Sequence, residues 1–320
     1  MEKTAPALLG GILFSLAAGL MWGLVFVGPL MLPDYPAALH TFGRYLAFGV
    51  IALPLAFVDR AELRRLSRDD WLAALKLAAI GNVLYYLFLA SAIQRAGGAL
   101  PTMIIGTLPV VIAISANLLN HQRDGRLPWP RLAPPLGLIL LGLACVNHVE
   151  WSTLSQDPTG DLQRYITGAV LAVGAVVCWT WYPLKNADWL RGHPDRNPRV
   201  WATAQGIATL PLALLGYGAF WVWTVVQQDP MPMPFGPRPL HFIGLMLAIG
   251  LLASWLGTLC WNAASQRLPT ALAGQLIVFE TLSALTYAFL LRGQWPEPLT
   301  LAGIVLLMMG VLGAVRVKPV

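Results

Sequence analysis

The stretch FLASAIQRAGGAL, Phe88–Leu100, sets Gln94 and Arg95 between two long apolar runs, and nearly the same words return as CWNAASQRLPTAL, Cys260–Leu272. An offset of 172 pairs Ala92 with Ala264, Gln94 with Gln266, Arg95 with Arg267, Ala99 with Ala271 and Leu100 with Leu272. Only 11% of the chain is charged, so a recurring Gln-Arg has two readings. It marks either a polar site used twice or a chain built by duplication.

The same register sets Asn82 against Ser254, one polar residue at matching depth in two apolar runs. Earlier in each half the offset is 157: GGILFSLAAGLMW meets TGAVLAVGAVVCW, pairing Gly11 with Gly168 and Trp22 with Trp179. The 15-residue difference falls on longer connections in the second half, around RGHPDRNP and QQDPMPMPFGP. Two blocks in the right order favour duplication.

The 320 residues are 57% hydrophobic, with a mean hydropathy of +0.64. Soluble domains are nearer about 45–50% apolar. Apolar runs of about 20 residues, each long enough to cross a hydrocarbon core, follow one another from end to end. They segment into ten spans: Leu8–Leu32, Ala37–Val58, Trp71–Ile93, Ala99–Leu119, Leu132–Val149, Tyr165–Leu184, Trp201–Val226, Leu240–Ala263, Thr270–Leu291 and Leu299–Val317. Lipid offers no partner to a backbone amide, so the spans are predicted to be helices; barrel strands would need an alternating polarity that is absent. The fold class expected is all-α and integral to a membrane. Five spans fall in residues 1–150 and five in 151–320, and an odd number inverts the second unit. Inverted five-helix units around a central cavity are a common transporter plan.

Net charge is +6, which suggests nucleic acid until its distribution is mapped. With the N-terminus inside, sixteen Lys and Arg fall on the cytoplasmic side and four (Arg95, Arg164, Arg238, Arg292) on the other, while Arg44 lies within a span. The positive-inside rule then places both termini in the cytoplasm of a cell with an inner membrane, and the charge reports topology, not nucleic acid. Cys145, Cys178 and Cys260 lie within apolar runs and read as packing residues, not as disulfides or a metal set.

At this point the chain resembles a family. WGLVFVGPLMLPDYPAALHTFGRYLAFGVIALPLAF resembles the opening of the drug/metabolite transporter superfamily, with a Trp-Gly in the first span and an Arg in the second. ASAIQRAGGALPTMIIGTLPVVIAISANLL is similar to its third-to-fourth-span hairpin, Pro109 included, and PLTLAGIVLLMMGVLGAV to its last span, with Gly303 and Gly310. The nearest group is the EamA-type exporters, including those of aromatic amino acids and paraquat. One departure stands out: Glu280 and Thr281 replace the equivalents of Leu108 and Pro109. The resemblance implies a secondary transporter that exports small amphipathic metabolites, amino acids foremost, by alternating access. Efflux of organic cations is the alternative within transport; an integral membrane enzyme or scaffold is the alternative of another class.

The residues present support transport over catalysis. There is no GxxxxGK[ST] loop for a nucleotide, no HExxH and no nucleophile elbow, so neither enzyme chemistry nor a cofactor is expected. Asp69 and Asp70 follow Ser67 and read as the first turn of a helix. The expected partners are the bilayer and a small-molecule substrate; monomer and homodimer both stay open.

Intramembrane charges are expensive and usually face the protein interior or water. Glu280, ten residues into its span, is either a cavity carboxylate for a substrate amine or proton, or a structural glutamic acid. Arg44 and His40 share a helix face. Arg44 could hold a carboxylate or snorkel outward, and its match to the family's second-span Arg implies an interior structural or gating role. His40 reads more simply as interfacial. Trp22, Tyr85, Tyr86, Trp179, Trp181, Tyr182 and Trp255 would suit an aromatic or cationic substrate, or else an interfacial belt. Asn82, Ser254 and Gln275 offer hydrogen bonds to substrate or between helices. Prolines 54, 101, 109 and 211 can kink their helices. Gln94-Arg95 and Gln266-Arg267 would lie on opposite faces and are expected to be interface anchors.

Overall fold

A computed structural model describes residues 5–96, 99–119, 127–154, 162–293 and 295–317, and within these the chain is all helix and loop. The helices are α1 (Ala5–Met31), α2 (Ala37–Val58), α3 (Arg68–Ala96), α4 (Ala99–Gly106), α5 (Leu108–Leu119), α6 (Trp129–Leu154), α7 (Leu162–Gly192), α8 (Pro198–Val226), α9 (Pro239–Arg267), α10 (Thr270–Leu276), α11 (Val278–Arg292) and α12 (Pro298–Val315). A single turn, Arg60–Leu63, links α2 to α3.

Seven stretches are long and apolar enough to cross a membrane: Ala7–Phe26, Ala37–Val58, Arg68–Ala96, Gln163–Gly192, Pro198–Val226, Pro239–Arg267 and Thr270–Leu291. Leu108–Leu119, Trp129–Cys145 and Pro298–Ala314 are shorter apolar helices. Leu215, Val222 and Val177 stay exposed, as side chains facing acyl chains must. Helix ends run past the apolar stretches: α7 continues beyond Leu184 to Gly192 and carries Lys185 and Arg191 clear of the apolar run. At the start of α3, Ser67 Oγ accepts from the Asp70 amide at 3.1 Å and Asp70 accepts from the Ser67 amide at 2.8 Å. This is a reciprocal capping box, so the acidic pair does begin a helix.

Two irregularities recur, the first at the offset of 172 read from the sequence and the second two residues short of it. The i→i+5 turns of a π-helix occupy Leu77–Leu84 in α3 and Gly250–Leu256 in α9, and these contain Asn82 and Ser254 respectively. Such turns widen a helix and often lie at functional sites. The fourth and ninth sequence spans are each broken, at Thr107 between α4 and α5 and at Ile277 between α10 and α11. Pro109 explains the first break: its ring opposes the carbonyl four residues back, and Thr107 Oγ1 bonds the Ile104 carbonyl at 2.7 Å. No proline follows Ile277; the break there coincides with close packing on α1. A Cβ on Gly19 would lie 3.0 Å from the Glu280 amide nitrogen, and one on Gly23 2.7 Å from Ser283 Cβ. Only glycines let α1 approach α11 this closely.

The helix contacts exchange between the halves. α1 packs on α9 and α11, while α7 packs on α3 and α4; α2 lies against α8, α6 against α12, and α5 against α10. A Cβ on Gly11 would meet Leu268, and one on Gly168 would meet Ala96. Gly11 and Gly168 are 157 apart, and Ala96 and Leu268 are 172 apart. The free cysteines are Cys145, Cys178 and Cys260.

Candidate functional site

The α1–α7 crossing carries the paired tryptophans. Trp22 and Trp179 meet edge to face with centroids 5.3 Å apart. Trp179 is also stacked between Tyr85, at 4.8 Å, and Tyr182, at 4.9 Å. Trp22 leans on Trp261, again at 5.3 Å, and its Nε1 occupies the space a Cβ on Gly257 would need. Gly257 is the offset-172 counterpart of Tyr85, so one repeat position supplies a ring and the other a gap. The Tyr182 ring fills the space left by Gly81, where a Cβ would come within 2.2 Å.

Beside this stack lies Arg44, 7% exposed. Its Nε donates to Ser254 Oγ at 2.9 Å, and its guanidinium lies 5.0 Å and 5.1 Å from the ring centres of Tyr45 and Tyr86. Cation–π contact and one charge-assisted hydrogen bond hold the group. Its two terminal nitrogens have no acceptor among the described residues. Glu280, 9% exposed, likewise has neither a hydrogen-bond nor an ion-pair partner among them, and Arg44 and Tyr85 are its electrostatic neighbours. Further polar atoms are orphaned: Trp179 Nε1 and Trp261 Nε1 in the stack, and both ends of Gln275 on α10, are buried without a partner among the described residues. A buried unpaired donor costs about 1–3 kcal/mol unless water or a ligand meets it.

Ring contacts thus link Trp22, Tyr85, Trp179 and Tyr182, and a second group of Arg44, Tyr86 and Ser254 adjoins them through the consecutive Tyr85 and Tyr86. Asn82 donates to Thr209 at 3.3 Å, and Trp255 donates to Thr203 at 3.2 Å, both as helix-to-helix bonds. Trp181 is partly buried against the core. His40 shares its helix face with Arg44, but its ring nitrogen bonds the Leu32 carbonyl at 3.1 Å and its ring packs on Tyr35.

Several participants escaped the sequence reading: Trp261, Tyr45, and a buried polar network on α7, α8 and α9. There Asn186 donates to Asn262 at 2.8 Å and accepts from Trp201 at 2.9 Å and Gln205 at 3.1 Å, while Tyr182 donates to Gln205 at 2.8 Å. The usable signal was polarity inside apolar runs: Asn262 lies within the repeated CWNAASQR itself.

Beyond this network, at the end of the bundle where α1 begins, the helices are tied together. Asp70 accepts from Trp189 Nε1 at 2.8 Å and lies 3.6 Å from His193, and Trp189 stacks on Trp201 at 3.4 Å. Arg199 pairs with Asp59, and Arg191 bonds the carbonyls of Ser265 and Leu268.

A helical membrane bundle with a charged, aromatic-walled interior defines a membrane transporter, and the comparisons agree. Residues 9–148 match the EamA-like transporter family. The chain is 57% identical to the inner membrane protein YtfF of Escherichia coli (strain K12) over 312 residues, 98% of this chain and 97% of that one. It is 28% identical to the threonine/homoserine exporter RhtA of the same strain over 262 residues, 80% of this chain and 74% of RhtA. A solved crystal structure overlays with a TM-score of 0.69 at 16% identity, over 95% of this chain and 96% of its own, a likeness of fold. The chain belongs to the EamA-like transporter family, within the drug/metabolite transporter superfamily. It is a multi-pass transporter of the inner membrane, not an enzyme.

Proposed function

We propose that the chain exports small zwitterions with apolar or aromatic side chains, amino acids first among them, by alternating access. One observation carries this reading: the guanidinium of Arg44 and the carboxyl of Glu280, neither neutralised by an ion pair among the described residues, lie within electrostatic reach beside an aromatic wall. The anchored Nε leaves the Nη1–Nη2 edge of the guanidinium to take a carboxylate in bidentate fashion. Glu280 takes the ammonium, and Trp22, Trp179 and Tyr85 pack the side chain. The similarity to RhtA, a threonine/homoserine exporter, supports amino acids as the substrate class, though not the apolar or aromatic side chain.

The two halves, 1–150 and 151–320, act as inverted five-helix units, with all ten sequence spans crossing. The recurring π-turns, the recurring breaks and the exchanged contacts support this. Both termini are cytoplasmic, by the sixteen-to-four distribution of basic residues. The tied end where α1 begins is then the closed inner gate, and the buried Arg44–Glu280 site is reached from outside. Labelled amino-acid counterflow in liposomes tests the reading. Glu280→Gln and Arg44→Gln should each reduce saturable exchange by at least about tenfold, and undiminished exchange in both would refute it.

Efflux of organic cations is the second reading, favoured by the aromatic wall beside Glu280. Arg44 opposes it, since a bare cation gains nothing from a guanidinium in the same space. Saturable uptake of tetraphenylphosphonium with no amino-acid flux would establish it.

A further inference from the structure

Gln94-Arg95 and Gln266-Arg267 have parted in role. Gln266 donates to the Arg196 carbonyl at 2.9 Å, and Arg267 bonds the Ala263 carbonyl at 2.6 Å and lies over the Phe14 ring near the start of α1. That copy is committed to protein. The first copy lies past the other end of α1, where Gln94 and Arg95 line a cavity of about 500 Å³ between the α1–α2 loop, the end of α3 and the end of α8.

The walls of this cavity are mixed in a specific way. The only contact of the Arg95 guanidinium among the described residues is to the Ser91 carbonyl, at a long 3.3 Å. Across the cavity Asp229 uses one carboxylate oxygen to accept from the Met231 amide at 2.9 Å, and no cation among the described residues pairs with it. Gln228, the residue before it, holds φ at 53° without being glycine, a conformation that turns the chain sharply off the end of α8. Asp34 also lines the cavity, but Arg238 already pairs with it at 2.7 Å. Phe220 and Trp223, stacked at 5.6 Å, supply the apolar side. The volume falls within the range of small-molecule sites, about 300–1,000 Å³.

We propose that this vestibule is a second binding site for an amphipathic zwitterion. Arg95 holds the carboxylate, Asp229 the ammonium, and Phe220 with Trp223 the side chain. It stands at the outer mouth of the path and catches solute leaving the central site. The ligand class rests on the amino-acid reading of the central site, but the residues are separate, so the two can fail separately.

Equilibrium binding of labelled L-phenylalanine to the purified full chain tests it, with phenethylamine and 3-phenylpropionate as probes lacking one charge. Wild-type protein should show two classes of saturable site. Arg95→Gln and Asp229→Asn should each weaken one class by about tenfold, the worth of one charge-assisted hydrogen bond, and leave the other unchanged. Glu280→Gln should do the reverse. Phenethylamine should lose its dependence on Arg95, and 3-phenylpropionate its dependence on Asp229. Isotherms unaffected by both vestibule substitutions overturn the second site whatever Glu280→Gln does. Wild-type binding that has a vestibule-dependent class but none that responds to Glu280→Gln overturns the central reading instead. If 3-phenylpropionate matches phenylalanine and Asp229→Asn has no effect, the cavity is an anion site and the zwitterion assignment falls. Absence of saturable binding by all three probes overturns the proposal as well.

Discussion

Arg44 on α2 donates through Nε to Ser254 Oγ on α9 at 2.9 Å, across 210 residues of sequence and inside the π-helical segment of α9. The bond orients a buried cation without consuming the face that a carboxylate would use. Ser254→Ala should therefore impair transport while Arg44 remains charged. The half-saturation concentration for amino-acid exchange is expected to rise by about tenfold, since a hydrogen bond to a charged group contributes about 1.5–3 kcal/mol. Arg44→Lys should not restore it, because an ammonium lacks the planar fork. An unchanged half-saturation in Ser254→Ala would show that the serine merely fills space.

Glu280 reads out through pH. Its carboxyl has no hydrogen-bond partner among the described residues to hold one charge state, so proton and substrate ammonium compete for the same oxygens. Wild-type exchange should fall as the medium is acidified, because only the ionised carboxylate attracts an ammonium. Glu280→Gln should reduce exchange by at least about tenfold, the worth of a lost charged hydrogen bond, and flatten the pH profile. Retention of the wild-type profile by Glu280→Gln would assign the titration to another group.

Gly23 is a packing prediction. A Cβ there would lie 2.7 Å from Ser283 Cβ and 2.8 Å from the Ala284 amide nitrogen, so backbone must move. Gly23→Val should destabilise the protein by about 1–3 kcal/mol through overpacking. Thermal unfolding followed by size-exclusion chromatography in detergent measures it. Gly244, with nothing within 4 Å of its Cβ position, is the control and should tolerate valine.

Asn186 makes three side-chain hydrogen bonds inside the bundle. Asn186→Ala strands donors on Trp201 and Gln205 together, and a loss of about 1–3 kcal/mol is expected. The same melting assay checks it; a shift no larger than that of an exposed control such as Ile166→Ala would mean that water replaces the amide.

The inner seal is testable through a native thiol. Asp70→Ala removes the acceptor for Trp189 and the partner of His193. The bundle should then open more often at that end, and N-ethylmaleimide should modify Cys260, now 7% exposed, several-fold faster. Equal labelling rates would place the gate elsewhere.

Much of this arrangement was legible in one dimension because lipid imposes strict local rules. An apolar run of about 20 residues must become a helix, so the spans were readable, as was the helix start at Ser67. The two offsets, 157 and 172, pair residues that the structure also treats alike or brings together: Asn82 and Ser254 both lie in π-turns, and Trp22 meets Trp179, a contact the offset itself does not predict. Pro109 announced one helix break. The break at Ile277 had no such mark, since its setting is the approach of Gly19 and Gly23 from another helix. Trp261 was invisible for a related reason: in a span that is apolar all round, periodicity does not say which neighbour a side chain meets.

The repeated Gln-Arg separates the two kinds of information most clearly. Sequence alone determined that the motif recurs and that each copy ends a helix. Tertiary structure alone decided what each copy touches. Arg267 is held by the Ala263 carbonyl and the Phe14 ring, whereas Arg95 faces a cavity whose other walls come from residues 33–38 and 220–231. The physical reason is one of range. Helix formation is set by backbone hydrogen bonds four residues apart, but a cavity is set by how helices distant in sequence pack, and that depends on side-chain shape at every crossing.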